Sequence, residues 1–99
     1  MRRAKYRNKP TNGFASKKEA RRYSDLVLLE RAGQISDLRI KTRYPIVVNG
    51  VKVCDYEDDF SYVENGARVV EDAKGFRTPV YRLKVKLMRA VHGIAIKEV

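Results

Sequence analysis

Two aspartates and a lysine define the chemistry this sequence can attempt. Asp59 and Asp72 flank Glu64-Asn65-Gly66-Ala67, and Asn-Gly between alternating apolar runs is a strong hairpin signal. In an antiparallel hairpin closed by that two-residue turn, Asp59 and Asp72 are equidistant from the turn and face each other, and Glu57 and Lys74 form the next pair on the same face. Opposed Cβ atoms on one face lie about 5 Å apart, and like charges there destabilise the ladder. A divalent cation neutralises such a pair, because two close carboxylates can hold Mg2+ or Mn2+ together with waters and a phosphate. Lys74, two positions beyond Asp72, shares its face and is placed to orient a water or to stabilise a pentavalent phosphorus. These roles outline metal-assisted phosphodiester hydrolysis.

The elements that must position these residues follow from periodicity. Ser16 opens a first helix with Glu19 three residues on, a capping-box spacing, and Ala20, Tyr23, Leu26, Val27 and Leu29 supply its buried stripe before Ala32-Gly33 ends it. Strands are expected over roughly 38–48, 51–63 and 67–74, joined at Asn49-Gly50 and Asn65-Gly66. Alternation assigns Tyr56, Phe60, Tyr62, Val69 and Ala73 to a core face that also carries Asp58 and Glu71; Glu57, Asp59, Ser61, Val63, Arg68, Val70, Asp72 and Lys74 fall on the site face. Thr78 caps a second helix that starts with Pro79 and buries Val80, Leu83, Leu87, Ala90 and Val91, with Gly93 as its stop and Ile94-Ala95-Ile96 as a short last strand. The order α-β-β-β-α-β is an α/β class with α+β character, its sheet covered by helices.

The chain has 99 residues, room for one domain, and a formal net charge of +10, which points to a polyanionic partner, nucleic acid first. Residues 1–15 read as a basic flexible arm bearing Arg2, Arg3, Lys5 and Arg7, and 16–99 as the folded domain. Lys17, Lys18, Arg21 and Arg22 extend the positive surface onto the first helix. No acid occurs between Asp72 and Glu98, so Arg77, Arg82, Lys84, Lys86 and Arg89 form a second basic run suited to tracking phosphates. Tyr6, Phe14 and Tyr44 are either base-stacking or packing aromatics. Cys54 is the single cysteine, which excludes an internal disulfide and a cysteine-based zinc site. With no apolar run of signal-peptide or membrane-span length, the expectation is a soluble, cytoplasmic protein without membrane attachment.

Asp59, followed by Asp72-Ala73-Lys74 on the next strand inside this element order, resembles the PD-(D/E)XK nuclease superfamily. Ser16-Lys17-Lys18-Glu19-Ala20, Asp59-Phe60-Ser61-Tyr62 and Val70-Glu71-Asp72-Ala73-Lys74-Gly75 resemble small phage-type nucleases of that superfamily, whose best understood relatives are Holliday junction resolvases. Asp58 stands where the superfamily often has proline. The resemblance implies a restriction-endonuclease-like αβββαβ core with a mixed central sheet, and Asp59 and Asp72 as metal ligands. It further implies Lys74 as the catalytic lysine, and Glu19 completing the acidic cluster rather than serving only as a helix cap. Its implied activity is Mg2+-dependent cleavage of branched or structured DNA, with Mn2+ able to substitute, by a homodimer in a bacterial or phage-infected cell and with no small-molecule cofactor. Two alternatives stand beside it: a basic nucleic-acid-binding module without catalysis, and a restriction-like or repair nuclease acting on ordinary duplex.

Overall fold

The Asn65-Gly66 turn sets the centre of the structure. The computed structural model describes residues 14–73 and 75–99; Arg2, Arg3, Lys5 and Arg7 of the expected arm, and Lys74, lie outside the described residues. Asn65 and Gly66 have φ of 54° and 80°, the paired positive dihedrals of the turn that matches strand twist. They join β4 (Phe60–Glu64) to β5 (Ala67–Asp72) in antiparallel register, with Glu64 opposite Ala67 and Phe60 opposite Glu71. This is the register expected from the turn.

The two strands before it are each broken once. The expected strands over 38–48 and 51–63 become β1 (Ser36–Ile40) and β2 (Arg43–Val48), and β3 (Val51–Glu57) and β4. Both breaks fall at the same level, and the ladder bridges them: Lys41 N donates to Asp59 O at 3.1 Å and Asp58 N to Thr42 O at 2.9 Å. Lys41 takes a left-handed φ of 54°, and Asp58 is buried in the bend, accepting from Thr42 N and from Tyr44 Oη, each at 2.8 Å. β2 and β3 therefore leave the main sheet as a separate hairpin. The consequence for alternation is large, since Tyr56 changes sides and packs with Val70 rather than with Phe60.

The main sheet has the order β1-β4-β5-β6, with β6 (Ile96–Glu98) parallel to β5 and the other pairs antiparallel. The last strand begins two residues later than expected. The protein is thus mixed α+β, a mixed sheet with two helices.

Both faces of the sheet are covered. α1 (Lys17–Arg31) packs Ala20 and Leu26 on Phe60 and Tyr62, and Phe14 joins them with its ring 5.0 Å from Tyr23 and 5.8 Å from Phe60. On the other face α2 (Pro79–Leu87), continued by a π-helical turn Met88–His92, buries Tyr81 and Met88 against Val70, Ile46 and Tyr56. This corrects the expected orientation of α2. Val80, Leu83, Ala90 and Val91 are exposed, because Tyr81, Val85 and Met88 form a competing stripe at helical spacing that carries more aromatic and sulfur surface inward. The supposed site face is likewise not a solvent face throughout: Ser61, Val70 and Asp72 are buried, while Glu57 and Arg68 are exposed.

Candidate active site

Asp72 ends β5 with its side chain 1% exposed. Its Oδ2 accepts a hydrogen bond of 2.6 Å from Tyr56 Oη, and its backbone oxygen accepts from Val99 N at 3.1 Å. Burial first, and then the hydrogen bond to Asp72, push the Tyr56 phenol far above its ordinary range, so it remains a protonated donor at neutral pH. Asp72 borders a cleft of about 260 Å³ whose other walls are Tyr56, Glu57, Thr78, Val80, Tyr81 and Lys84.

Asp59 reaches the same end of the hairpin. The paired register stops at Phe60 and Glu71, one step short of an Asp59–Asp72 pair, yet Asp59 N donates to Glu71 O at 3.1 Å and Asp59 Oδ2 accepts from Ala73 N at 2.7 Å. The carboxylate of Asp59 is therefore fixed on the peptide that follows Asp72. Glu19 has a different setting. Its backbone N donates to Ser16 Oγ at 3.1 Å, its Oε1 accepts from Ala15 N at 3.3 Å, and Lys41 Nζ lies 3.9 Å away, which is the environment of a helix cap. Among the described residues, no three His, Cys, Asp or Glu side chains are grouped so as to hold a metal ion.

Two neighbouring acids, Glu71 and Asp58, are structural. Glu71 is fully buried and accepts from Arg22 Nε at 2.8 Å and Arg22 Nη2 at 2.6 Å, with Tyr62 Oη as a third donor. Burial alone would raise its pKa, but the hydrogen bonds from Arg22 and Tyr62 and the Arg22 charge outweigh it, leaving the carboxyl below its ordinary value. Arg22 accordingly belongs to the interior of the α1–β5 contact, not to a phosphate-binding surface. Asp58, which alternation places on the core face, is the buried pin of the strand break; burial raises its pKa against the opposing hydrogen bonds of Tyr44 and Thr42, and burial and Asp58 together push the Tyr44 phenol up to about 12. Phe14 and Tyr44 thus pack or bond internally.

The family model described as protein of unknown function (DUF1064) matches residues 3–93. The chain belongs to this family. No curated protein matches it.

Within this member of the family, the cations divide by environment. Arg77 Nε donates to Glu98 Oε1 at 2.8 Å, and Tyr81 Oη donates to Glu98 Oε2 at 2.8 Å, so Arg77 braces β6 against the start of α2. Lys17, Lys18 and Arg21 on α1, and Arg82, Lys86 and Arg89 on α2 and its extension, are exposed. Lys84 is half-buried and forms part of the cleft wall. Thr78 Oγ1 accepts from Tyr81 N at 3.1 Å, placing the positive end of the α2 dipole at the cleft mouth, where an anion is favoured. Three cleft residues, Tyr56, Glu57 and Lys84, lie outside the carboxylate-and-lysine centre that the sequence outlines, although Lys84 is among its expected phosphate-binding cations. Glu57 was visible as the neighbour of Asp59 on the site face, and Lys84 as one of a basic run; Tyr56 was hidden by the strand break. No helix among the described residues is long and apolar enough to cross a membrane.

Proposed function

We propose that this protein is a Mg2+-dependent DNA endonuclease of the PD-(D/E)XK kind, acting on branched or otherwise structured DNA in the manner of a junction resolvase. The observation that carries the reading is the convergence at one end of the β4–β5 hairpin: Asp72 borders a cleft at the N-terminus of α2, and Asp59 is tied to the adjoining peptide. The element order supports the reading: with each broken strand, β1 with β2 and β3 with β4, counted once, it runs α-β-β-β-α-β.

The donor set suits a hard cation, for which one or two carboxylates suffice when water and substrate phosphate complete the shell. Asp59 and Asp72 would hold it. When bound, the ion polarises a phosphoryl oxygen and lowers the pKa of a water. The protein's own residues do the rest: Tyr56 holds the Asp72 carboxylate by its hydrogen bond, Lys84 and the N-terminus of α2 attract the phosphate, and Lys74 is assigned the ammonium that orients the attacking water or offsets charge in the transition state. Symmetric cutting of a four-way junction requires two such sites, hence a homodimer. Comparing cleavage of a four-way junction, a flap, a single strand and a linear duplex in Mg2+ tests the reading. Preferential cutting of the branched forms supports it, equal or better cutting of linear duplex moves the enzyme to the restriction-like or repair class, and no cutting of any of them removes the assignment.

One observation favours a second reading, a basic nucleic-acid-binding module. Asp59 and Asp72 each already accept a hydrogen bond within the protein, as purely structural acids do. Calorimetric titration with Mn2+ separates the two, since the nuclease predicts a saturable site that disappears in Asp59→Asn and the binder predicts none.

A further inference from the structure

The segment that runs from Asp72 into α2 carries exposed apolar side chains where a phosphate-binding surface would be expected to be polar. Phe76 is 79% exposed, Val80 62% and Leu83 56%, although every charged residue between Asp72 and Glu98 is a cation. Val80 lines the cleft with Asp72 and Lys84, and Phe76 lies four residues after Asp72, on the segment that leads into α2. The covering partner must therefore offer apolar surface and negative charge together. A second copy docking through its own α2 would set Lys84 and Lys86 against like charges, which is unfavourable across a desolvated contact. Stacked duplex DNA offers charge without an accessible apolar face. A strand whose base has left the stack offers both, a π-face for an aromatic ring and a phosphate for the adjacent ammonium groups.

We propose that Phe76, together with Val80 and Leu83 of α2, is a platform for an unstacked nucleobase next to the phosphate taken at the cleft. This rests on the nucleic-acid reading above and deepens it, because it makes an unpaired or distorted position the feature that is recognised. Alanine substitution of a base-stacking aromatic weakens binding by about 1–3 kcal/mol, which is about 5- to 150-fold.

The test is a binding measurement, so it does not depend on catalysis. Fluorescence titration uses three DNA probes of one sequence, a perfect duplex, a duplex with one unpaired 2-aminopurine and a single strand carrying that base, with wild type, Phe76→Ala, Phe76→Trp and Val80→Ser. Wild type should bind the probes with an unpaired base more tightly and quench their fluorescence. Phe76→Ala should lose at least five-fold on those two and less than two-fold on perfect duplex, with Phe76→Trp retaining the preference and Val80→Ser weakening it. Equal losses on all probes, or no loss on any, would overturn the platform, as would light scattering that shows Phe76→Ala converting a dimer to a monomer with the probe preference intact. Absence of Mg2+-dependent cutting by the wild type would instead count against the nuclease assignment alone, leaving the platform to be judged by the titration.

Discussion

Glu71 and Asp72 are adjacent in the chain yet point to opposite faces of the sheet, so one carboxylate serves α1 and the other the cleft. Truncating one partner of a buried ion pair leaves an uncompensated charge, at a cost of about 3–5 kcal/mol. Glu71→Gln should therefore lower stability by roughly 3 kcal/mol or more, read as a shift in the urea midpoint. The pH dependence has a definite sign. Because the native Glu71 carboxyl lies below its ordinary value of 4.5, its contribution is complete above that value and is lost as pH falls through the lowered native one. Asp58 works in the opposite sense: its pKa is raised, so its contribution is present at low pH and declines as pH rises through the raised value. Glu71→Gln should accordingly flatten the acid limb of a stability curve recorded between about pH 3 and pH 7, and an unchanged acid limb would contradict the ion-pair account. Tyr56→Phe removes the donor from a buried carboxylate oxygen and should cost about 1–3 kcal/mol. If Tyr56 holds the Asp72 carboxylate in place, the same change should slow cleavage more than it weakens DNA binding.

At the scale of elements, local chemistry was legible and tertiary choice was not. The Asn65-Gly66 turn fixes the β4–β5 register because positive φ at two successive positions leaves one hairpin geometry, and that register carried Asp59 and Asp72 to a common end. The break at Lys41-Thr42 and Asp58-Asp59 was invisible to alternation, since its cause is a buried acid that bonds Thr42 and Tyr44 from sixteen and fourteen residues away. The orientation of α2 was misread for a related reason: the helix carries two apolar stripes, and only the packing of Tyr81 and Met88 on Ile46, Tyr56 and Val70 decides between them. The Thr78 cap, by contrast, was plain from Thr-Pro. Thr78→Ala should lower stability by about 1 kcal/mol, measured by thermal or urea unfolding. Because that cap orders the helix end at the cleft mouth, the same variant should also weaken phosphate binding there.

For the whole molecule, a charge of +10 on 99 residues is the dominant long-range property. Pairing with Glu71 draws Arg22 into the structure, and Arg77 is held by Glu98 while staying exposed; Arg82, Lys86 and Arg89 are exposed on α2 and its extension. If about six to ten phosphates are neutralised, affinity for DNA should drop by about three to five orders of magnitude between 50 and 200 mM salt; fluorescence anisotropy across that range measures the slope, and a flat profile would exclude a phosphate-tracking surface. The same charge made nucleic acid the foremost partner from composition alone, while the exposure of Val80 and Leu83 could not be read because those side chains fit a buried helix face equally well.

The central claim is that Asp72 acts on a bound phosphodiester, and one comparison addresses it most directly. Wild type and Asp72→Asn are assayed on the same four-way junction, for binding without divalent ions and for cleavage in Mg2+. Cleavage should vanish in the variant while its affinity stays within a few-fold of wild type; a variant that still cuts would contradict the assignment of Asp72 to the reaction.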